Sequence, residues 1–143
     1  MIAVDANVLV YAHRADSSFH GSADRAVRDL AQGPESWALP WPCLHEFFSV
    51  VTNPRLFREP SPPEVALNQI AYWLESPTVR LLSESPTHLV MLTDLARSAN
   101  VVGSQIHDAK IAAICLSHGV RELLTMDRDF SRYPSLTTRS LLA

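Results

Sequence analysis

The segment Gln105–Phe130, QIHDAKIAAICLSHGVRELLTMDRDF, sets the fold class of this 143-residue chain. Its first half reads as a helix that is apolar nearly all round. Ile111, Ala112 and Cys115 share one face with Asp108, and Ala109, Ala113 and Leu116 share the next. Such a helix belongs inside a protein, not on its surface. Ser104 is the expected N-cap and Gly119 the turn that ends it. A short strand, Glu122–Thr125, then runs into Asp127 and Asp129. A buried helix and a buried strand each deliver an acid to one end, as two walls of a site would.

The chain outside this segment repeats the same alternation. Ile2–Val4 is a short apolar strand ended by Asp5, and a helix follows from Asn7, the expected N-cap. A second helix fits Phe19–Gln32, with Ala23, Ala26, Val27 and Leu30 as its stripe and Gly33-Pro34 as its stop. Ser36–Pro40 reads as a strand. Pro42 opens a helix that runs to Asn53, with Leu44, Phe47, Phe48 and Val51 as its core face and Glu46 off that face. Ser61-x-x-Glu64 has the form of a capping box before a helix whose stripe is Leu67, Ile70, Ala71 and Leu74. Val79–Leu82 is a strand, Ser85–Ala99 a helix, and Thr137–Leu141 an edge strand. Strands alternating with helices predict a single α/β domain with a mostly parallel sheet covered on both faces.

Composition limits the functions open to such a domain. Hydrophobic residues make up 47% and charged residues 19%, which is globular composition. No apolar run reaches membrane-spanning length, and no basic, apolar leader opens the chain. Cys43 and Cys115 sit far apart in apolar surroundings and read as buried thiols of a reducing compartment, so the cytoplasm is expected. A formal net charge of -3 argues against a broad basic nucleic-acid surface. It leaves room for a nuclease, because a metal-binding acid cluster is counted in that charge. No glycine-rich turn follows the first strand, which leaves a dinucleotide site without support.

In an open α/β sheet, strand C-termini and helix N-termini lie along one edge, where ligands bind. Asp5, Glu46, Asp108 and Asp127 all obey that rule, and Asp129 lies two residues further on. Each has a structural explanation taken singly: Asp5 as a cap, Glu46 as a complement to a helix dipole, Asp127 and Asp129 as turn residues. Asp108 is the exception, since a lone carboxylate on an apolar stripe is costly. Four carboxylates at one edge repel; two charges about 4 Å apart cost roughly 4 kcal/mol at an effective dielectric of about 20. Either some stay protonated or a divalent cation neutralises them. Oxygen ligands without a partnering histidine favour Mg²⁺ or Mn²⁺, ions that bind through few carboxylates plus a phosphate. The six histidines, His13, His20, His45, His88, His107 and His118, show no paired metal spacing.

These residues resemble the PIN-domain nucleases, and among them the VapC-type toxins of bacterial toxin–antitoxin modules. The carriers are Ile2-Ala-Val-Asp5-Ala-Asn7, Glu46, His107-Asp108-Ala109 and Leu124-Thr-Met-Asp127-Arg-Asp129-Phe130. The likeness spans essentially the whole chain. It implies a three-layer α/β/α sandwich on a parallel sheet of four or five strands, and Mg²⁺- or Mn²⁺-dependent endoribonuclease activity. It implies Asp5, Glu46, Asp108 and Asp127 as the acidic site. Asp5 and Asp108 are the expected direct metal ligands, and Glu46 and Asp127 are expected to complete the shell directly or through water. Asn7, Thr125 and Asp129 would support that set from behind. Arg14, Arg128 and Arg132 are candidates for RNA phosphates. A VapB-type antitoxin and a homodimer are the partners implied. Two other classes stay in view: an acidic phosphotransfer or phosphatase site, and an inert RNA- or protein-binding module.

Overall fold

The computed structural model describes residues 1–142. Five strands form one sheet: β1 (Ile2–Val4), β2 (Trp37–Pro40), β3 (Val79–Leu82), β4 (Glu122–Leu124) and β5 (Thr137–Arg139). Their order is β3-β2-β1-β4-β5 and every pairing is parallel. Among the described residues six α-helices surround the sheet: α1 (Ala6–His13), α2 (His20–Gln32), α3 (Trp41–Val51), α4 (Pro63–Leu74), α5 (His88–Ser98) and α6 (Ile106–Ser117). Among the described residues no helix is long and apolar enough to cross a membrane.

The alternation of each strand splits the core into two layers. Ile2, Val4, Trp37, Leu39 and Leu124 face one cluster, which contains Val8, Leu9, Leu44, Phe47, Val51 and Trp73 from the helices. Ala3, Ala38 and Leu123 face the other, which α6 fills with Ala109, Ile111, Ala112, Ile114 and Cys115. Small residues on both sides of that second contact allow the helix backbone a close approach to the central strands. This is the expected three-layer sandwich, with helix α6 buried as its composition requires and β5 at the edge.

Several local expectations are corrected. Asp5, not Asn7, caps α1: its carboxylate accepts from the Ala6 amide at 2.8 Å. Ser104 caps nothing. A 3₁₀ turn over Gly103–Gln105 leads into α6, and the Gln105 side chain accepts from the Val102 amide at 3.1 Å. The capping box at Ser61 does not form. The Ser61 amide instead donates to the Val51 carbonyl at 2.8 Å, and its hydroxyl meets His13 Nε2 at 2.9 Å. The stripe of α4 is rotated too. Ala66 and Trp73 are its buried residues, while Leu67 is 49% exposed. Trp73 packs edge-on against Phe47. The larger ring sets the rotation of the helix and leaves Leu67 outside, since burying an aromatic removes more area from water.

Candidate active site

The acids meet at the C-terminal edge of the sheet because β1 and β4 are neighbours. Register sets Val4 beside Leu124, so the residues that leave these strands, Asp5 and Thr125, are brought together. Thr125 Oγ1 donates to Asp5 Oδ2 at 2.7 Å and accepts from the Asp127 amide at 3.0 Å. Asn7 closes the corner. Its Nδ2 donates to Asp5 Oδ2 and to Thr125 Oγ1, each at 3.3 Å, and its Oδ1 accepts from the Met126 amide at 3.1 Å. One polar network thus locks the two strand ends that carry Asp5 and Asp127.

Asp5 is 4% exposed and has no free side. Its Oδ1 accepts from the Ala6 amide and from the Cys43 thiol, at 2.8 and 3.6 Å; its Oδ2 accepts from Thr125 and Asn7. Burial raises its pKa against the opposing effect of these donors, and Asp127 adds to the rise. Cys43 is a contact that composition did not announce. The signal was there in its place on α3, one turn before Glu46 and on the buried face. Its thiol is held well above the ordinary range by burial, then by the Asp5 charge.

The other acids face outward around Asp5. Asp108 stands in the first turn of α6 and is partly exposed. Loss of hydration pushes its pKa up to about 6, and Asp127, Asp5 and Asp129 push the same way. Glu46, on the outer flank of α3, is also raised, by desolvation first and then by Asp5, Asp108 and Asp127. Asp127 caps the 3₁₀ turn over Arg128–Arg132, accepting from the Asp129 amide at 2.9 Å. Asp108, Asp127 and Asp129 each offer a carboxylate oxygen, and the three oxygens lie within 4.8 Å of one another. The structure therefore groups Asp129 with Asp108 and Asp127 instead of behind them, whereas Asp5 has its lone pairs occupied by protein donors.

The basic residues divide. Arg132 is exposed and near enough to counter part of the rise at Asp108, and Arg128 is exposed on the same turn. Arg14 lies elsewhere, at the far end of α1, about 13 Å of helix from Asp5. Its guanidinium pairs with Asp16 at 2.7 Å, donates to the Glu59 carbonyl at 2.8 Å and stacks on Phe57. That is a loop anchor, with no hand free for the acidic edge. His13, held between Ser61 and Gln69, is likewise committed to structure. A groove of about 580 Å³ between α1, α2 and α4 is lined by His13, Val27, Gln69 and Trp73 and by none of the clustered acids.

A parallel α/β/α sandwich thus brings carboxylates from β1, α3, α6 and the β4 exit to one edge, the edge at which open α/β sheets bind ligands. The chain belongs to the PIN-domain family, whose model matches residues 2–136. It is 37% identical over 139 residues to ribonuclease VapC43 of Mycobacterium tuberculosis, covering 97% of this chain and 94% of that one. Ribonuclease VapC48 of the same organism is 31% identical, over 94% and 93% of the two chains. Among solved structures, VapBC2 from Rickettsia felis, bound to a DNA fragment from its promoter, superposes with a TM-score of 0.71 at 19% identity, over 98% of each chain. The sarcin–ricin loop cleaving toxin VapC20 of M. tuberculosis superposes at 0.65 and 23% identity, over 92% and 93%.

Proposed function

We propose that this protein is a divalent-metal-dependent endoribonuclease and the toxin of a type II toxin–antitoxin pair. The observation that carries the reading is the convergence of Asp5, Glu46, Asp108, Asp127 and Asp129 on one sheet edge. Loss of hydration and mutual repulsion raise Asp5, Glu46 and Asp108 together. Near-full-length likeness to VapC ribonucleases points the same way.

The donor set fits Mg²⁺ or Mn²⁺. Three carboxylates present oxygens to one small region, no histidine or thiol among the described residues joins them there, and their charges need compensation. Asp108, Asp127 and Asp129 would hold the ion, with Glu46 across the site. Asp5 would anchor the floor through Thr125, Asn7 and Cys43. When bound, the ion supplies a Lewis acid that lowers the pKa of a water and offsets charge at the phosphate. The chain's own part is then to place acceptors. Glu46, with its raised pKa, is the group suited to take a proton from the attacking water. Arg132 and Arg128, exposed on the turn that follows Asp127, would meet phosphate oxygens. Hydrolysis in this arrangement yields 5′-phosphate and 3′-hydroxyl ends. A VapB-type antitoxin that covers the acidic edge, a homodimer of one-domain protomers and a cytoplasmic location complete the proposal.

The test is incubation of total RNA with purified, antitoxin-free protein, in Mg²⁺ or Mn²⁺ against EDTA, with Asp108→Asn and Asp129→Asn in parallel. Discrete fragments that need both the cation and Asp108 are expected. Cleavage that survives EDTA or the Asp108 substitution overturns the assignment. An intact Asp129→Asn enzyme would return Asp129 to a role in the turn.

A further inference from the structure

Asp5 and Asp108 differ in what surrounds their carboxylates. Asp5 accepts from Thr125, from the Ala6 amide and from Cys43, and each of these bonds opposes the rise that burial imposes. At Asp108 desolvation comes first, and the charges of Asp127, Asp5 and Asp129 push the same way. The charge of Arg132, not a hydrogen bond, opposes them. Asp108 is thus an acceptor without a donor, on a side chain that is partly exposed and free to turn.

A donor without an acceptor lies in the segment that follows the acidic turn. Tyr133 ends the 3₁₀ turn over Arg128–Arg132, and that turn packs on α6. Its amide donates to the Phe130 carbonyl and its carbonyl accepts from the Leu136 amide, each at 3.0 Å, so its backbone is held on both sides. Its ring centroid is 6.4 Å from that of Phe130. The ring belongs to the buried cluster that holds Ala109 and Ala112 of α6, the residue after Asp108 and the one a turn further on. Tyr133 is 1% exposed, yet its hydroxyl has no hydrogen-bond partner among the described residues. Charge places that hydroxyl as well as packing does. Burial raises its pKa first, Asp108 is the strongest of the charges that act on it, Arg132 opposes and Asp129 adds to the rise. The orphan donor therefore stands among the carboxylates of the edge.

A buried hydroxyl left unpaired is costly, and a folded protein keeps few of them. Carboxylates that hold a metal are themselves hydrogen-bonded by an outer partner, which fixes their orientation. A turn of the short Asp108 side chain satisfies both groups at once. We infer that Tyr133 is the outer partner of Asp108 in the cation-loaded protein, where one Asp108 oxygen faces the ion and the other accepts from the Tyr133 hydroxyl. The inference rests on the metal-dependent ribonuclease reading and adds to it a positioning residue outside the acid set. Tyr133 touches neither RNA nor ion. It acts by restricting the rotamer of Asp108, a side chain that no other donor holds.

The experiment measures Mn²⁺ binding to the purified, antitoxin-free chain by electron paramagnetic resonance of the free ion. Wild type and Tyr133→Phe are compared, with melting temperatures in EDTA and Mn²⁺-dependent RNA cleavage alongside. Tyr133→Phe should melt no lower than wild type in EDTA, because the hydroxyl it removes has no partner there. It should bind Mn²⁺ about ten- to a hundredfold more weakly, the loss that follows removal of a metal ligand's hydrogen-bond partner. Cleavage by the variant should recover as Mn²⁺ is raised. A residue that served packing alone would not move cation affinity while leaving the melting temperature in place. Mn²⁺ affinities within about twofold of each other, with cleavage by both proteins, overturn the role of Tyr133 and leave the nuclease standing. A melting temperature in EDTA that falls in step with Mn²⁺ affinity would make the hydroxyl a bond already present without the ion, and overturns the inference too. A wild type that binds no Mn²⁺ overturns the inference and the metal-dependent reading together.

Discussion

Thr125 Oγ1 donates to Asp5 Oδ2 at 2.7 Å across the junction of β1 and β4. The same hydroxyl oxygen accepts from the Asp127 amide and from Asn7. One buried hydroxyl therefore holds the floor acid and aligns the turn that carries two more.

Replacing Thr125 with valine keeps the shape and deletes the hydroxyl. Asp5 Oδ2 loses its shortest bond and the Asp127 amide loses its partner. Leaving buried polar groups unpaired costs about 1–3 kcal/mol, so a lower unfolding midpoint in urea is expected. RNA cleavage should fall by on the order of tenfold or more, since misplaced ligands weaken charge stabilisation. Thr125→Ser should recover most of both. A valine variant with wild-type cleavage would remove Thr125 from the positioning network.

Asp108 makes the cation-free protein pH-sensitive. Its pKa is raised from 3.8 to about 6. A carboxyl raised by folding favours the fold when protonated. Its contribution is complete below the unfolded value and is lost as pH climbs through about 6. In EDTA, the melting temperature should therefore rise between about pH 7 and pH 5, with Asp5 and Glu46 acting in the same direction. Asp108→Asn should melt higher than wild type at neutral pH and show a flatter rise. Adding Mn²⁺ should stabilise the wild type most at neutral pH, by RT ln(1 + [L]/Kd). RNA cleavage should fall over the interval in which the metal-free fold gains stability. Equal pH slopes for wild type and Asp108→Asn would contradict the assigned environment.

Arg14 should matter for the loop and not for cleavage. Its side chain is 12% exposed and ties Asp16, Glu59, Ser61 and Phe57 together. Arg14→Ala is expected to cost about 1–2 kcal/mol through lost hydrogen bonds and ring stacking. Proteolysis within residues 52–63 should quicken, while activity per folded molecule stays the same. A selective rise in KM for RNA without loss of stability would restore Arg14 as a phosphate contact.

Tyr133 carries a buried hydroxyl with no hydrogen-bond partner among the described residues. Its ring is 1% exposed and packs near Phe130. Tyr133→Phe preserves the packing and removes an unsatisfied group, so stability should hold or rise by up to about 1 kcal/mol. A loss of that size in thermal unfolding would reveal a bonded hydroxyl.

Much of the architecture was legible because it depends on near neighbours in the chain. The apolar run of α6, the strand at Ile2–Val4 and the stripe of α2 follow from periodicities that burial enforces. At Asn7, Ser61 and the face of α4, local cap or stripe chemistry competes with a distant partner, and the distant partner wins; at Ser104 a local 3₁₀ turn over Gly103–Gln105 takes the place of the cap. Ser61 turns to His13; Asn7 turns to Met126 and Thr125; α4 rotates to seat Trp73 against Phe47.

By itself, the sequence determined the alternation of strand and helix, the burial of α6 and the acids at element ends. These are properties of a residue and its nearest few neighbours: apolar period, caps and turns. Only tertiary structure decided how the acids relate. The pairing of β1 with β4 brings Thr125 to Asp5, α3 adds the Cys43 thiol, and the meeting of α6 with the β4 exit groups Asp129 with Asp108 and Asp127. Each carboxylate takes its role from the donors and charges that surround it, and those come from positions up to 120 residues away.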